Sequence, residues 1–341
     1  MKKKSLIVLA AFILCFLIVS SGCKNDDENT NNNDNPPPSG PTWITYTTSN
    51  SSIPDNEIWA IEVYNNDVWV SHMSSVSKFS NGVWATVNLA LSGETYDIAV
   101  DKSNHLWLAD DEGLTEYDGS TFTSYYKGDY NLSTCAKIAI DNNNTKWVAL
   151  PWRGLLRWVD STDYSIVDLT DQMAGSLSVD NQNRVYAGLH WEPSGGNYGL
   201  YRHGPSPITY TTLNSGLPSS VVMDVLCVDS KVWVATDGGG LASFDGNSSW
   251  TVYNTSNSDI PSNRIYCLEA DAANYIWIGT FDAGLCKFDG SQWTTYSSQN
   301  SSLPQGQVVC LKHDGSNTLW IGTYYSVGGT NYGTGLTKFT Y

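Results

Sequence analysis

Positive charge is scarce in this chain: 18 Lys and Arg stand against 34 Asp and Glu in 341 residues, a formal net charge of −16. Such a surface repels phosphate backbones and argues against a nucleic-acid partner. Helical periodicity is missing from every long stretch, which argues against a helical bundle. The five histidines, His72, His105, His190, His203 and His313, show no paired metal-ligand spacing, and no nucleophile motif accompanies them. Neither a metal nor a cofactor is therefore expected, and the chain reads as a non-enzyme. Charged residues make up only 15%, while Asn, Ser, Thr and Gly fill the connections. That profile suits short strands joined by tight turns. The longest apolar run is confined to Leu6–Val19.

That run follows Lys2, Lys3 and Lys4 and ends at Val19-Ser20-Ser21-Gly22-Cys23. It is too short for an ordinary spanning helix and reads as a secretory signal over residues 1–22. The ending resembles a bacterial lipobox, in which Cys23 takes the lipid and becomes the mature N-terminus. Acyl chains, at about 0.8 kcal/mol per buried CH₂, would anchor the protein to a membrane. Lys24-Asn25-Asp26-Asp27-Glu28 looks like an export signal to the outer face of the outer membrane, or else is a solvated charge run. Residues 23–41, rich in Asn, Asp and Pro, read as the lipidated Cys and a flexible tether. An outer-membrane lipoprotein, surface-exposed and monomeric, is the expectation.

What the remainder contains is a repeat. Trp69, Trp107, Trp147, Tyr186, Trp233, Trp277 and Trp320 recur at spacings of 38–47 residues, the length of one four-stranded propeller blade. Gly-Leu dyads follow at 113, 154, 199, 240, 284 and 335, with Ser75-Val76 in the first repeat. The last repeat stops at Tyr341, short of its final strand, and Trp43-Ile44-Thr45-Tyr46 near the start has that strand's pattern. The expected fold is therefore all-β: a seven-bladed β-propeller of four-stranded blades over residues 42–341, closed by an N-terminal strand completing the last blade. Linkers such as Asn257-Ser258-Asp259-Ile260-Pro261 repeat too, and their Ile or Leu is expected to plug the seam between blades. Asp101-x-x-Asn104 recurs at 141, 180, 271 and 314, which argues for turn chemistry, since the ligand count falls far short of a calcium loop.

Asp271…Ile276-Trp277-Ile278-Gly279-Thr280 and Asp314…Leu319-Trp320-Ile321-Gly322-Thr323, each followed by Gly-Leu and an aromatic, resemble the two-component regulator propeller repeat. The resemblance implies an extracytoplasmic sensor fold, often responsive to polysaccharide fragments, usually joined to a kinase. The residues read here give no kinase and no second spanning segment, so only the binding half of that analogy is expected to carry over.

Binding is expected on the face bearing the inter-blade linkers and the loops between second and third strands. Those loops offer His72-Met73, Asp110-Asp111-Glu112, Trp152-Arg153, His190-Trp191-Glu192, Asp237, Phe281-Asp282 and Tyr324-Tyr325, with Asn197-Tyr198 and Asn331-Tyr332 where they lengthen. The ligand-binding candidates are Asp111, Trp152, Arg153, His190, Trp191, Glu192, Phe281, Asp282, Tyr324 and Tyr325. Aromatic faces for sugar C–H groups, with carboxylates and Arg for hydroxyls, suit a glycan, oligosaccharide or small ligand. A protein-interaction scaffold of the cell envelope is the alternative. A polysaccharide or ester lyase using His190 and Glu192 as acid and base is a second. On the innermost strands Ala60, Asp97, Lys137, Ser176, Asp224, Cys267 and Cys310 form a small or polar set suited to a water-filled channel, with apolar neighbours on the other face. Beyond Cys15 and Cys23, the cysteines read as buried small hydrophobes. The tight geometry of a disulfide argues against pairing Cys267 with Cys310.

Overall fold

The computed structural model describes residues 40–341 apart from 73–74, 88–93, 131, 133, 152, 170–172, 190–198 and 328–329. The chain forms seven four-stranded antiparallel sheets, each one blade. The first strands of blades 1 to 7 are Ala60–Tyr64, Thr95–Val100, Lys137–Ile140, Ala174–Val179, Val222–Val228, Ile265–Ala270 and Gln307–His313. Each touches the first strands of both neighbouring blades, the seventh meeting the first, so these strands ring an axis. In blade 7 the order is Gln307–His313, Thr318–Val327, Thr330–Thr340 and then Thr42–Tyr46, with Trp43 opposite Phe339 and Tyr46 opposite Leu336. The ring is closed by hydrogen bonds between the two ends of the chain.

The aromatic spacing explains why that strand belongs there. In three other blades the last aromatic of the third strand stacks on the first aromatic of the fourth: Phe288 on Trp293 at 4.2 Å between centroids, Phe244 on Trp250 at 4.4 Å, Tyr117 on Phe122 at 4.3 Å. Phe339 stacks on Trp43 in the same way at 3.8 Å. Such pairs add to the area that they bury.

The recurring Asp is a turn device. Asp271 Oδ1 accepts the N–H groups of Ala273 and Tyr275, and Oδ2 accepts the Trp277 indole N–H at 3.2 Å. Asp101 and Asp141 repeat this with Trp107 and Trp147. The Asn three residues on takes a left-handed conformation, φ 61–67° at Asn104, Asn144 and Asn274, which Asn tolerates better than most residues. Blade 4 has Tyr186 in place of Trp and so no indole donor. There Arg184 Nε donates to Asp180 Oδ2 at 2.6 Å instead. The Gly of each Gly-Leu dyad also has a positive φ, and a Cβ at Gly284 or Gly335 would strike the carbonyl oxygen ending the fourth strand. The linker residues Ile53, Leu217, Ile260 and Leu303 are all buried in clusters that mix residues of adjoining blades.

Candidate ligand-binding face

Each first strand begins on the face that carries the linkers and second-to-third connections, because the strands of a blade alternate in direction. Five first strands carry a bulge at their entry, an extra residue that breaks the alternation and re-aims its side chain. The extra residue is Tyr96 in blade 2 and Tyr266 in blade 6. Trp59 holds the equivalent place in blade 1, is 39% exposed and meets Tyr96 edge-on at 5.5 Å. Tyr96 donates to Glu94 at 2.8 Å, and burial with that carboxylate pushes its hydroxyl up to about 12. Tyr266 hydrogen-bonds Tyr324 of blade 7. Trp59, Tyr96, Tyr266 and Tyr324 thus lie on four consecutive blades, 6, 7, 1 and 2, at the entry to the axis. Nothing in the sequence marks the first three as a set, since a bulge has no pattern of its own; their only signal is their place just before Ala60, Asp97 and Cys267.

Several expected residues join them. Asp111 adjoins Tyr96, its N–H donating to Glu94 O at 3.2 Å. Tyr325 stacks on Tyr332 at 5.3 Å, with the two rings 40% and 46% exposed. Phe281 lies under the Arg264 guanidinium at 3.7 Å, and Arg264 Nε donates to Asp237 at 2.8 Å, which ties blade 5 to blade 6. Asp282 is exposed beside it, and Arg153 is half-buried, its N–H bonded to Leu150 O. Trp152, His190, Trp191, Glu192 and Cys23 lie outside the described residues, as do Met73, Asn197 and Tyr198.

Two of the expected loop residues need correction. His72 is not displayed on this face: it is fully buried, donating from Nδ1 to Glu57 O at 3.1 Å while Nε2 accepts from Ser77. Burial lowers its pKa and keeps the ring neutral. Asp110 is also buried, and loss of water raises its carboxyl to about 6.

The axis holds a cavity of about 220 Å³. The division of inner residues into a channel set and an opposite set does not survive, because a blade stands edge-on to the axis and both its faces flank the cavity. Ile98 and Ile138 line it together with Asp97 and Lys137, while Ser176 is buried at 1% exposure. Charged groups stand in two tiers. Nearer the aromatic entry are Asp97, Lys137 and Asp224, and two residues further along their strands are Glu62, Glu269 and Lys312. Some also fasten the seams: Asp97 accepts the Ile138 N–H at 2.9 Å, and Asp224 accepts the Leu268 N–H at 2.8 Å. Cys267 and Cys310 are buried free thiols facing Val308 O and Ile58 O, and burial pushes Cys310 up to about 12.

Residues 259–282 and 302–325, each running from a linker into the second strand of blades 6 and 7, match the family model for the two component regulator propeller. The chain is a propeller related to that family. Among solved structures it is similar to the extracellular domain of BT3049 from B. thetaiotaomicron, described as a hybrid two component system. That match has a TM-score of 0.67 and 17% identity, and covers 87% of this chain and 41% of that one. The virginiamycin B lyase of Staphylococcus aureus is similar at TM-score 0.67 and 13% identity, over 88% of this chain and 99% of the other. PorZ of Porphyromonas gingivalis, a surface component of the type-IX secretion system, matches at TM-score 0.54 and 18% identity over 83% and 51%. The propeller thus spans about half or less of BT3049 and PorZ, and at these identities the likenesses establish the fold alone. No curated protein sequence matches the chain.

Proposed function

We propose that this chain is a lipid-anchored, extracytoplasmic recognition protein that binds an oligosaccharide on its loop-rich face without transforming it. The observation that carries this reading is the set of rings at the mouth of the axis, Trp59, Tyr96, Tyr266 and Tyr324, with the exposed Tyr325–Tyr332 pair beside it. Exposed aromatic faces suit the C–H faces of sugar rings, and Glu57, Glu94 and Asp111 supply acceptors for hydroxyls. Binding without catalysis is favoured because His72, the described histidine nearest this face, is buried and neutral. A lyase reading would rest on His190 and Glu192.

On an oligosaccharide array the protein is expected to retain a ligand at micromolar affinity, weakened by at least about tenfold in Trp59→Ala and in Tyr325→Ala with the melting temperature held. A silent array, or two variants that bind like the parent, would refute the reading. The anchor rests on the sequence around Cys23, and no helix among the described residues is long and apolar enough to cross a membrane. Cells fed an alkyne-tagged fatty acid should label the parent protein and not Cys23→Ser; equal labelling of both removes the anchor.

A further inference from the structure

Resting on that saccharide reading, we infer that the axial cavity receives a free ammonium group, so that the ligand is a saccharide with an unacetylated amine. The charges of the cavity do not balance. Lys137 bonds Asp97 at 3.2 Å and Lys312 bonds Glu62 at 2.9 Å, which accounts for both lysines. Asp224 and Glu269 remain, and neither takes part in an ion pair within 4 Å among the described residues. Asp224 accepts the N–H groups of Val225 and Leu268, and Glu269 accepts that of His313. A carboxylate has about four acceptor sites, so each keeps unused capacity.

A carboxylate drawn out of water and left to share its counter-ion with a second carboxylate, as Asp224 shares Lys137 with Asp97 and Glu269 shares Lys312 with Glu62, is held at a cost that a further cation would relieve. Burial, opposed by Lys137, leaves Asp224 raised to about 6, and burial, opposed by Lys312, leaves Glu269 raised to about 7. The entry continues the same sign. Glu57, beside Trp59, is itself raised by burial and by the neighbouring Asp55 and Glu94. A cation approaching the mouth therefore meets an aromatic face with acidic groups around it before it reaches Asp224. A neutral hydroxyl would leave the surplus charge in place. A bare metal ion fits poorly, since no group of three or more metal-binding side chains is assembled among the described residues. The cavity of about 220 Å³ is on the scale of a single sugar unit.

The test compares three probes by calorimetry at pH 7: a glucosamine tetrasaccharide, its N-acetylated counterpart and cellotetraose. The free-amine probe is expected to bind about tenfold or more tightly than the other two. In the Asp224→Asn, Glu269→Gln double variant that preference should vanish while any neutral binding stays. Its melting curve is recorded alongside, and neutralising two half-buried carboxylates that share their lysines should leave the fold intact. A second readout needs no variant. At pH 5 both carboxyls bind protons while the amine stays charged, so the parent protein should lose most of its preference. Equal affinity for all three probes, or a preference unchanged at pH 5, overturns the amine inference and leaves saccharide binding standing. Free-amine binding abolished in the double variant but untouched by Trp59→Ala keeps the channel and sinks the aromatic face. No binding of any probe, together with a silent array, sinks both.

Discussion

A chain lacking residues 42–46 is expected to lose its cooperative melting transition and to elute from a sizing column as aggregate. Those five residues pair with Leu336–Thr340 and occupy the seat that a Trp or other aromatic strand fills in the other blades. Without them Thr330–Thr340 becomes an open edge with unpaired N–H and C=O groups, which invites another chain to add itself. The buried Phe339, stacked on Trp43 and tilted against Tyr296 at 5.1 Å, loses its cover at the same time. Trp43→Ala is the milder form and keeps the backbone ladder. It should cost about 3 kcal/mol, a fall in Tm of roughly 6 °C for a chain of this size. Calorimetry and size-exclusion chromatography decide it. A truncated chain that melts like the parent and stays monodisperse would show that closure does not hold the ring.

The second large effect is expected at Asp271. One carboxyl gathers the N–H groups of Ala273 and Tyr275, the indole of Trp277, the Tyr341 hydroxyl at 3.1 Å and the Lys287 ammonium at 3.7 Å. It thereby ties the first turn of blade 6 to the final residue of the chain. Asp271→Ala strands a fully buried indole N–H and a hydroxyl, each worth about 1–3 kcal/mol when left unpaired. The loss should be about 4 kcal/mol and exceed that of Asp271→Asn, which keeps one acceptor oxygen. Burial raises this carboxyl, but the N–H groups of Tyr275 and Ala273, with Trp277 and Tyr341, outweigh burial and bring it below its ordinary 3.8. A lowered carboxylate stabilises the fold fully above its unfolded value and loses that contribution as pH falls through the folded one. The gap between parent and Asp271→Ala in urea unfolding should therefore be constant from pH 8 to 5 and narrow only below about 3.8. A gap that closes between pH 8 and 6 would point to some other group.

The architecture was legible because it is written seven times. The second-strand aromatic recurs seven times, Gly-Leu six and the linker Pro four, all at blade spacing, and a strand missing after Tyr341 has its match at Trp43. The Asp-x-x-Asn turns were legible for the same reason, although their second task, receiving the indole of Trp107, Trp147 or Trp277, shows only when strand and turn are folded together. The make-up of the loop-rich face was legible in part. Tyr324, Tyr325 and Asp111 fall on it because loop position follows from strand order. Trp59, Tyr96 and Tyr266 were missed because two of them occupy bulges, and a bulge shifts side-chain direction without changing residue type. His72 was misplaced because the ladder runs on to pair it with Ser75 and its ring is buried, a tertiary fact with no local signature.

The entry of Thr42 has a consequence for orientation. Thr42 pairs with Thr340, and Tyr341 bonds Asn317 in the turn between the first two strands of blade 7, so the chain joins the propeller on the side away from the aromatic mouth. A bulky group attached at Gly40 would therefore leave the acidic, ring-lined opening unobstructed.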